Sequence, residues 1–136
     1  ESRMNYTVIG DNVNLSSRLE GLTKYYGVQI LVGEATKKAS PGLSFRFVDR
    51  VRVKGKTEPV TIYEPLSCPL EEQEQRAYDE AIKLYQKGDF EAAQCAFEAL
   101  SAQYLSTLYF MYANRSALFS SEPPAYWDGV YSFVSK

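Results

Sequence analysis

Tyr6-Thr7-Val8-Ile9-Gly10-Asp11-Asn12-Val13-Asn14-Leu15-Ser16-Ser17-Arg18-Leu19-Glu20 is the stretch on which the reading of this chain turns. Its first residues are aromatic and β-branched, and they predict a strand over 5–9. Gly10, Asp11 and Asn12 then supply a turn. Val13, Leu19, Leu22 and Tyr26 recur at near-helical spacing and predict a helix over 13–26, with Gly27 closing it as a C-cap. Asn14 and Arg18 stand at i and i+4 of that helix, on one face and one turn apart. From spacing alone this pair reads as an asparagine in a first turn and a solvated arginine, with Asp11 capping the helix.

Working outward, residues 29–32 form a short apolar run that predicts a strand. Residues 34–39 predict a short helix, ended by Ser40-Pro41-Gly42. Phe45, Phe47, Val51 and Val53 then fall on one alternating face, opposite Arg46, Arg50 and Arg52, while Val48 departs from the alternation. Lys54-Gly55-Lys56-Thr57-Glu58-Pro59 breaks the run, and residues 60–66 supply a second strand for an antiparallel hairpin. The first part of the chain, 1–66, is therefore expected to be α+β, an antiparallel sheet with helices on one side.

Ser67-Cys68-Pro69 is the junction to a helical part, 67–136. Residues 71–87 and 90–103 predict two helices broken at Gly88-Asp89, and residues 106–119 predict a third. Ala81, Tyr85 and Gly88-Asp89-Phe90-Glu91-Ala92-Ala93 follow the rhythm of a tetratricopeptide-type helical hairpin. One such unit alone is short of packing surface, which the third helix can supply. The tail, Pro123-Pro124-Ala125-Tyr126-Trp127-Asp128-Gly129-Val130-Tyr131, is expected to lay its aromatic rings against these helices.

Composition narrows the function classes. The chain has 136 residues, 45% hydrophobic and 14% aromatic, with a formal charge of -2. That balance is ordinary for a cytosolic globular protein and lacks the basic stripe of a nucleic-acid binder. No apolar run approaches the length of a membrane span. With 0 His, chemistry built on histidine as base or nucleophile partner is excluded. Cys68 and Cys95 are too few for a four-ligand zinc site and read as free, partly buried thiols. The abrupt opening at Glu1-Ser2-Arg3-Met4 reads as a piece of something longer.

Residues 7–20 resemble the signature of the class III nucleotide cyclases, in which an Asn and an Arg four residues apart open a helix. Further blocks follow in family order. Tyr26-Gly27-Val28-Gln29-Ile30-Leu31-Val32-Gly33-Glu34-Ala35-Thr36 is similar to the next family strand and helix. Residues 47–64, from Phe47-Val48-Asp49-Arg50 through Lys54-Gly55-Lys56 to Ile62-Tyr63-Glu64, are similar to the closing hairpin. The resemblance covers the first half of the chain and implies the C-terminal half of a ferredoxin-like cyclase domain.

The resemblance also implies roles. Arg18 matches the arginine that stabilises charge on the phosphoryl group, and Asn14 the asparagine that orients the ribose. Lys56 matches the lysine that reaches the terminal phosphates, with Lys54 a weaker substitute. Thr7 stands where many members carry an Asp that reads the adenine amine, and its threonine resembles a recognised subclass of adenylate cyclases, some of them bicarbonate-sensitive. A hydroxyl accepts from that amine but can also donate, so it discriminates less sharply than a carboxylate.

The family's two divalent ions, Mg2+ or Mn2+, are held by paired aspartates in the N-terminal half of the domain. Asp11 and Asp49 are not at those positions. Family homodimers are head-to-tail, one subunit giving the metal carboxylates and the other the Asn/Arg pair. The resemblance thus implies ATP as substrate, a head-to-tail homodimer, no nucleic acid, and a cytoplasmic site that can belong to a membrane-anchored parent. Such a fragment holds the transition-state half of a composite site and is expected to be inactive alone. Two alternatives stand beside it. One is a guanylate cyclase. The other is a helical module on a degenerate cyclase remnant, presenting Tyr85, Tyr104, Tyr109 and Tyr112 to a protein partner.

Overall fold

The computed structural model describes residues 21–52 and 58–133. The strand expected at 5–9, the turn at 10–12 and most of the 13–26 helix lie outside the described residues, as does Val53. The chain divides into two units, Glu1–Pro69 with Val130–Lys136, and Leu70–Gly129. The architecture is α+β, a small three-stranded sheet in the first unit and helices in the second.

The first unit opens with α1, Leu22–Tyr26. Gly27 ends it in the left-handed region at φ 74°, where a glycine carries no Cβ penalty. Its N–H donates to the Lys24 carbonyl at 3.2 Å and the Val28 N–H to the Thr23 carbonyl at 3.0 Å, the paired closure of a Schellman motif. The strand expected at 29–32 is reduced to an isolated bridge: Val32 and Tyr63 exchange two backbone hydrogen bonds of 2.9 Å each. The apolar run is there because Leu31 and Val32 are buried, not because it continues a ladder. Helix α2, Glu34–Ala39, follows within the expected bounds.

Strand β1, Ser44–Arg52, and strand β2, Val60–Leu66, form the antiparallel hairpin. The register runs Phe47↔Tyr63 and then Asp49↔Ile62, so one extra residue sits in β1 at Val48. This β-bulge reverses the alternation along β1. Before it Arg46 and Val48 face inward; after it Asp49 and Val51 do. The expected apolar face therefore holds for Val51, while Phe45 and Phe47 are only half-buried. Arg46, expected on the solvent side, is buried beside Glu64: its Nε and Nη2 both donate to Glu64 Oε1, at 3.0 and 2.7 Å.

The sheet is not wholly antiparallel. Strand β3, Tyr131–Ser132, pairs parallel to the end of β1, giving the order β2-β1-β3. Chain beyond the helices thus returns to the first unit, and Phe133 N–H donates to the Arg52 carbonyl at 2.9 Å.

The second unit consists of α3, Glu72–Lys87, α4, Phe90–Gln103, and α5, Thr107–Ser121, close to the three expected helices. Gly88, at φ 91°, ends α3 with the same paired closure: its N–H donates to the Tyr85 carbonyl and the Asp89 N–H to the Leu84 carbonyl. The core between these helices is aromatic. The Phe97 and Tyr112 rings stack at 4.7 Å and 11°, and Tyr85 meets Tyr112 edge-on at 5.1 Å. Such pairs contribute roughly 0.5–1.5 kcal/mol each beyond the burial of their area.

Tyr85, Tyr109 and Tyr112 are almost completely buried here, at 1%, 0% and 0% exposure. That corrects the alternative in which they are offered to a protein partner, because their rings fill this core. The expectation for the tail holds in part. Trp127 packs on Tyr85, Phe90 and Phe119 at 5.2–5.5 Å, and its indole N–H reaches the Tyr85 and Gln86 carbonyls. Tyr131 and Phe133 instead belong to the sheet unit.

Candidate functional site

Thr7, Asn14 and Arg18 precede the described residues, and Lys54 and Lys56 lie in the 53–57 stretch, also outside them. None of these candidate residues is brought together with another by the described structure. What the structure does give is the frame at the inner ends of both segments: the end of the helix that follows Arg18, and the strand that precedes Lys54 and Lys56.

That frame is polar at its centre. Asp49 is 1% exposed, and Tyr26, the last residue of α1, is 0% exposed. The Tyr26 hydroxyl donates to Asp49 Oδ2 at 2.6 Å, and the Arg50 N–H donates to Asp49 Oδ1 at 2.7 Å. Both carboxylate oxygens are therefore engaged, as a buried charge requires. The bulge at Val48 is what turns this carboxylate inward; in unbroken alternation with the inward-facing Arg46 and Val48 it would point outward.

On the strand edge next to Asp49, β3 extends the same segment. Val51 pairs with Tyr131 and Arg52 with Ser132. The Arg52 guanidinium donates to the Ser132 hydroxyl at 3.2 Å. The Tyr131 and Phe133 rings lie 4.8 Å apart, and both meet Tyr25, at 6.4 and 5.3 Å. Residues 49–52 of β1 are thus held from α1 through a buried hydrogen bond and from β3 through a ladder.

Farther along the hairpin the chemistry is cationic. Arg50 is exposed and donates to the Thr61 hydroxyl at 3.3 Å. Lys37 lies over the Tyr63 ring at 5.0 Å, and the Phe47 ring meets the same tyrosine edge-on. Burial raises the Tyr63 phenol above its ordinary value, the Glu34 carboxylate raises it further, and Arg50 offsets part of this. Arg50 and Arg52 precede Lys54 and Lys56 in sequence, so residues 50–56 are rich in positive charge.

No group of three or more His, Cys, Asp or Glu side chains able to hold a metal ion occurs among the described residues. Asp49 does not fit such a role either, with both oxygens hydrogen-bonded in a buried setting. In the helical unit a shallow depression runs along Glu72, Gln73, Arg76, Ala77 and Glu80 of α3. Its carboxylates suit a polyphosphate poorly, and Arg76 is already paired with Glu72 at 2.5 Å. Cys68 and Cys95 are free thiols as expected, but both are exposed, which corrects the expectation that they are partly buried. No helix among the described residues is long and apolar enough to cross a membrane.

The Tyr26–Asp49 bond is the feature that sequence reasoning missed. Its one sequence signal is Val48, whose break in the alternation marks the bulge.

No family model matches the chain, and no solved structure matches it. Curated relatives do. The chain is 49% identical to a protein named adenylate cyclase from Anabaena cylindrica over 67 residues, 46% of this chain and 13% of that protein. It is 41% identical to "Adenylate cyclase, terminal-differentiation specific" from Dictyostelium discoideum over 114 residues, 79% of this chain and 5% of that one. It is 37% identical to "Adenylate cyclase 1" from Rhizobium meliloti (strain 1021) over 65 residues, 47% of this chain and 10% of the relative. A match as long as the Dictyostelium one must run into the helical unit wherever it begins. The chain spans between 5% and 13% of the length of these relatives. Over these stretches, the chain is related in sequence to proteins named adenylate cyclase.

Proposed function

We propose that this chain is part of a class III adenylate cyclase whose whole protein converts ATP to 3′,5′-cyclic AMP and pyrophosphate, and that it supplies the transition-state half of a composite site. The observation that carries the proposal is the 49% identity to a protein named adenylate cyclase over 67 residues. The residues of the Asn14/Arg18 signature and the Lys54-Gly55-Lys56 arm, in family order, support the same reading.

In this reaction the ribose 3′-oxygen attacks the α-phosphorus of its own nucleotide. The bond from that phosphorus to the bridging oxygen of pyrophosphate breaks, and the hydroxyl proton is lost. Attack and departure lie in line, so positioning and cationic stabilisation of the phosphoryl oxygens carry the catalysis. Arg18 supplies a forked cation for the charge on that phosphoryl group. Asn14 orients the ribose, and Lys56 binds the terminal phosphates. Thr7 accepts from the adenine amine. Mg2+ or Mn2+ neutralises phosphate charge in such cyclases, and its aspartate ligands are assigned to the N-terminal half of a ferredoxin-like domain, brought by the partner in a head-to-tail homodimer. The helical unit is a tetratricopeptide-like extension of that catalytic domain, in a cytoplasmic location.

The test is turnover of the full-length protein with ATP and with GTP. Formation of cyclic AMP is expected, with Arg18→Ala reducing it by about 10²–10³-fold, the usual loss for a transition-state donor. This chain alone is expected to give no product with either ion. Cyclic GMP as the main product would move the assignment to a guanylate cyclase. No product from the full-length protein with either nucleotide would overturn the cyclase assignment.

A further inference from the structure

We infer that the outer face of α5 is a self-docking surface, on which a second copy of this chain lies antiparallel about a two-fold axis through Asn114. Such a contact is independent of the cyclase reading, because it involves a helix with no part in nucleotide chemistry.

Helix α5 turns Leu108, Tyr109, Tyr112, Arg115 and Ser116 into the aromatic core. The side turned away carries Phe110, Met111, Asn114, Ala117 and Leu118, spaced at i, i+1, i+4, i+7 and i+8, which is one stripe of an α-helix. Phe110 and Leu118 are 59% and 55% exposed, Asn114 is exposed, and Met111 and Ala117 are half-buried. The solvent-facing stripe of a globular helix is normally charged or polar. Arg115 is the one charged residue of α5, and it is 5% exposed. The outer side of α3, by contrast, carries exposed Glu72, Arg76, Asp79 and Glu80. Single exposed apolar residues are ordinary, whereas a contiguous uncharged stripe marks a contact surface. From α5 the chain leads to Trp127 and β3, so no later helix among the described residues covers this face.

The order of residues along the stripe identifies the occupant. Phe110 and Leu118 stand four residues either side of Asn114, and Met111 and Ala117 three residues either side. The small hydroxyl residues Thr107 and Ser121 stand seven residues either side. The chemistry therefore reads alike in both directions, which is the requirement of an isologous contact: each position meets its mirror position in the other copy. Phe110 of one copy then meets Leu118 of the other, and Met111 meets Ala117, large against small. The two Asn114 amides meet at the axis, where each can donate and accept. A lone polar residue in an apolar helix seam fixes its register. No charge enters the contact, so no like-charge repulsion opposes it. A partner of different sequence would need no such symmetry.

With 15 residues, α5 is about 22 Å long. One helix pair of that length buries less than the roughly 1,200 Å² of a stable complex, so the association is weak and concentration-dependent. Sedimentation equilibrium of the 136-residue chain over a concentration series tests it, and a monomer–dimer equilibrium is expected. Phe110→Lys alone and Leu118→Glu alone should each weaken dimerisation by about tenfold or more, because each sets a charge against an apolar side chain. Both changes in one chain should recover most of that loss, since opposite charges then face each other between copies. Both sites are exposed, so circular dichroism and the thermal midpoint should stay native.

The axis is tested separately. Asn114→Cys, combined with Cys68→Ser and Cys95→Ser, should form a disulfide between two copies at position 114 on mild oxidation, read by peptide mass spectrometry in this chain and in the full-length protein. A chain that stays monomeric up to about 1 mM, a dimer indifferent to the single changes, or a double variant no better than either single one would overturn the inference. Absence of the link at position 114 from the full-length protein would do the same, giving this face to another segment or another partner. None of these outcomes touches cyclic AMP formation, which tests the cyclase reading on its own.

Discussion

The sheet unit and the helical unit are stabilised by different kinds of interaction. In the sheet unit the interior is crossed by polar contacts with defined directions, Tyr26 to Asp49 and Arg46 to Glu64. In the helical unit the interior is a network of rings: Tyr78, Tyr85, Phe97, Tyr109 and Tyr112 each lie within 6.4 Å of another. Its buried guanidinium, Arg115, joins that network by facing the Tyr85 and Tyr112 rings at 5.9 and 5.3 Å while donating to the Tyr85 hydroxyl. Ring packing contributes through area and tolerates small shifts. Directional bonds between partly desolvated charges fix register, and they lose their value once a partner is displaced. The sheet unit thus leans more on directional polar contacts and the helical unit more on ring packing, with Arg115 and Tyr109 adding directional bonds to Tyr85 and Glu74 there.

That contrast can be broken from either side. Phe97→Ala removes a ring with 0% exposure that stacks on Tyr112 and meets Tyr78. The expected loss is about 3–5 kcal/mol, the range for large-to-small changes in a packed core. Chemical denaturation should place that loss in the helical unit. Near-UV circular dichroism should also weaken, because tyrosine rings lose their fixed environment.

A smaller effect is expected from Arg46→Ala. The side chains of Arg46 and Glu64 are 10% and 19% exposed, so the carboxylate left behind is largely out of water. Stability should fall by about 1–3 kcal/mol, the cost of leaving a charged acceptor without its donor. Replacing both partners with apolar residues should recover much of that, since such pairs roughly break even against hydrophobic isosteres. The measurement is the urea midpoint of the single and double variants. A double variant no better than Arg46→Ala would place the role of the pair elsewhere.

How far the sequence reached follows the same division. The helices were legible because their signals are local: apolar spacing over several turns, a glycine after Lys87, and Phe90-Glu91-Ala92-Ala93 opening α4. The hairpin was legible too, down to the bounds of its second strand. What failed depended on long-range pairing. The alternation reading placed Arg46 outside because a bulge moves every residue before it to the opposite face, and only Val48 hinted at it. The run at 29–32 gave no sign that it would make a single bridge. Nothing in Tyr131-Ser132 announces a strand that pairs back across the helical unit's length of sequence. The site residues Thr7, Asn14, Arg18 and Lys56 rest on motif resemblance alone, and they lie outside the described residues. Periodicity says where a side chain points, and never which nucleotide atom it meets.

The smallest effect tests a feature that both units share. Gly27 and Gly88 each close a helix in the left-handed region with two backbone hydrogen bonds, so local chemistry is the same where core chemistry differs. At Gly88, φ is +91°, and an added Cβ would stand 3.4 Å from Cδ1 of Trp127, an ordinary contact. Space is therefore no obstacle, and the cost of Gly88→Ala is the backbone strain of an L-residue at positive φ, about 1 kcal/mol. Trp127 sharpens the reading, because its indole N–H binds the last-turn carbonyls of Tyr85 and Gln86. If α3 keeps its end under that strain, tryptophan fluorescence should be unchanged and only the thermal midpoint should fall. A red-shifted emission would mean that the helix end had unwound and released the indole, making the closure at Gly88 a determinant of the aromatic core and not only its boundary.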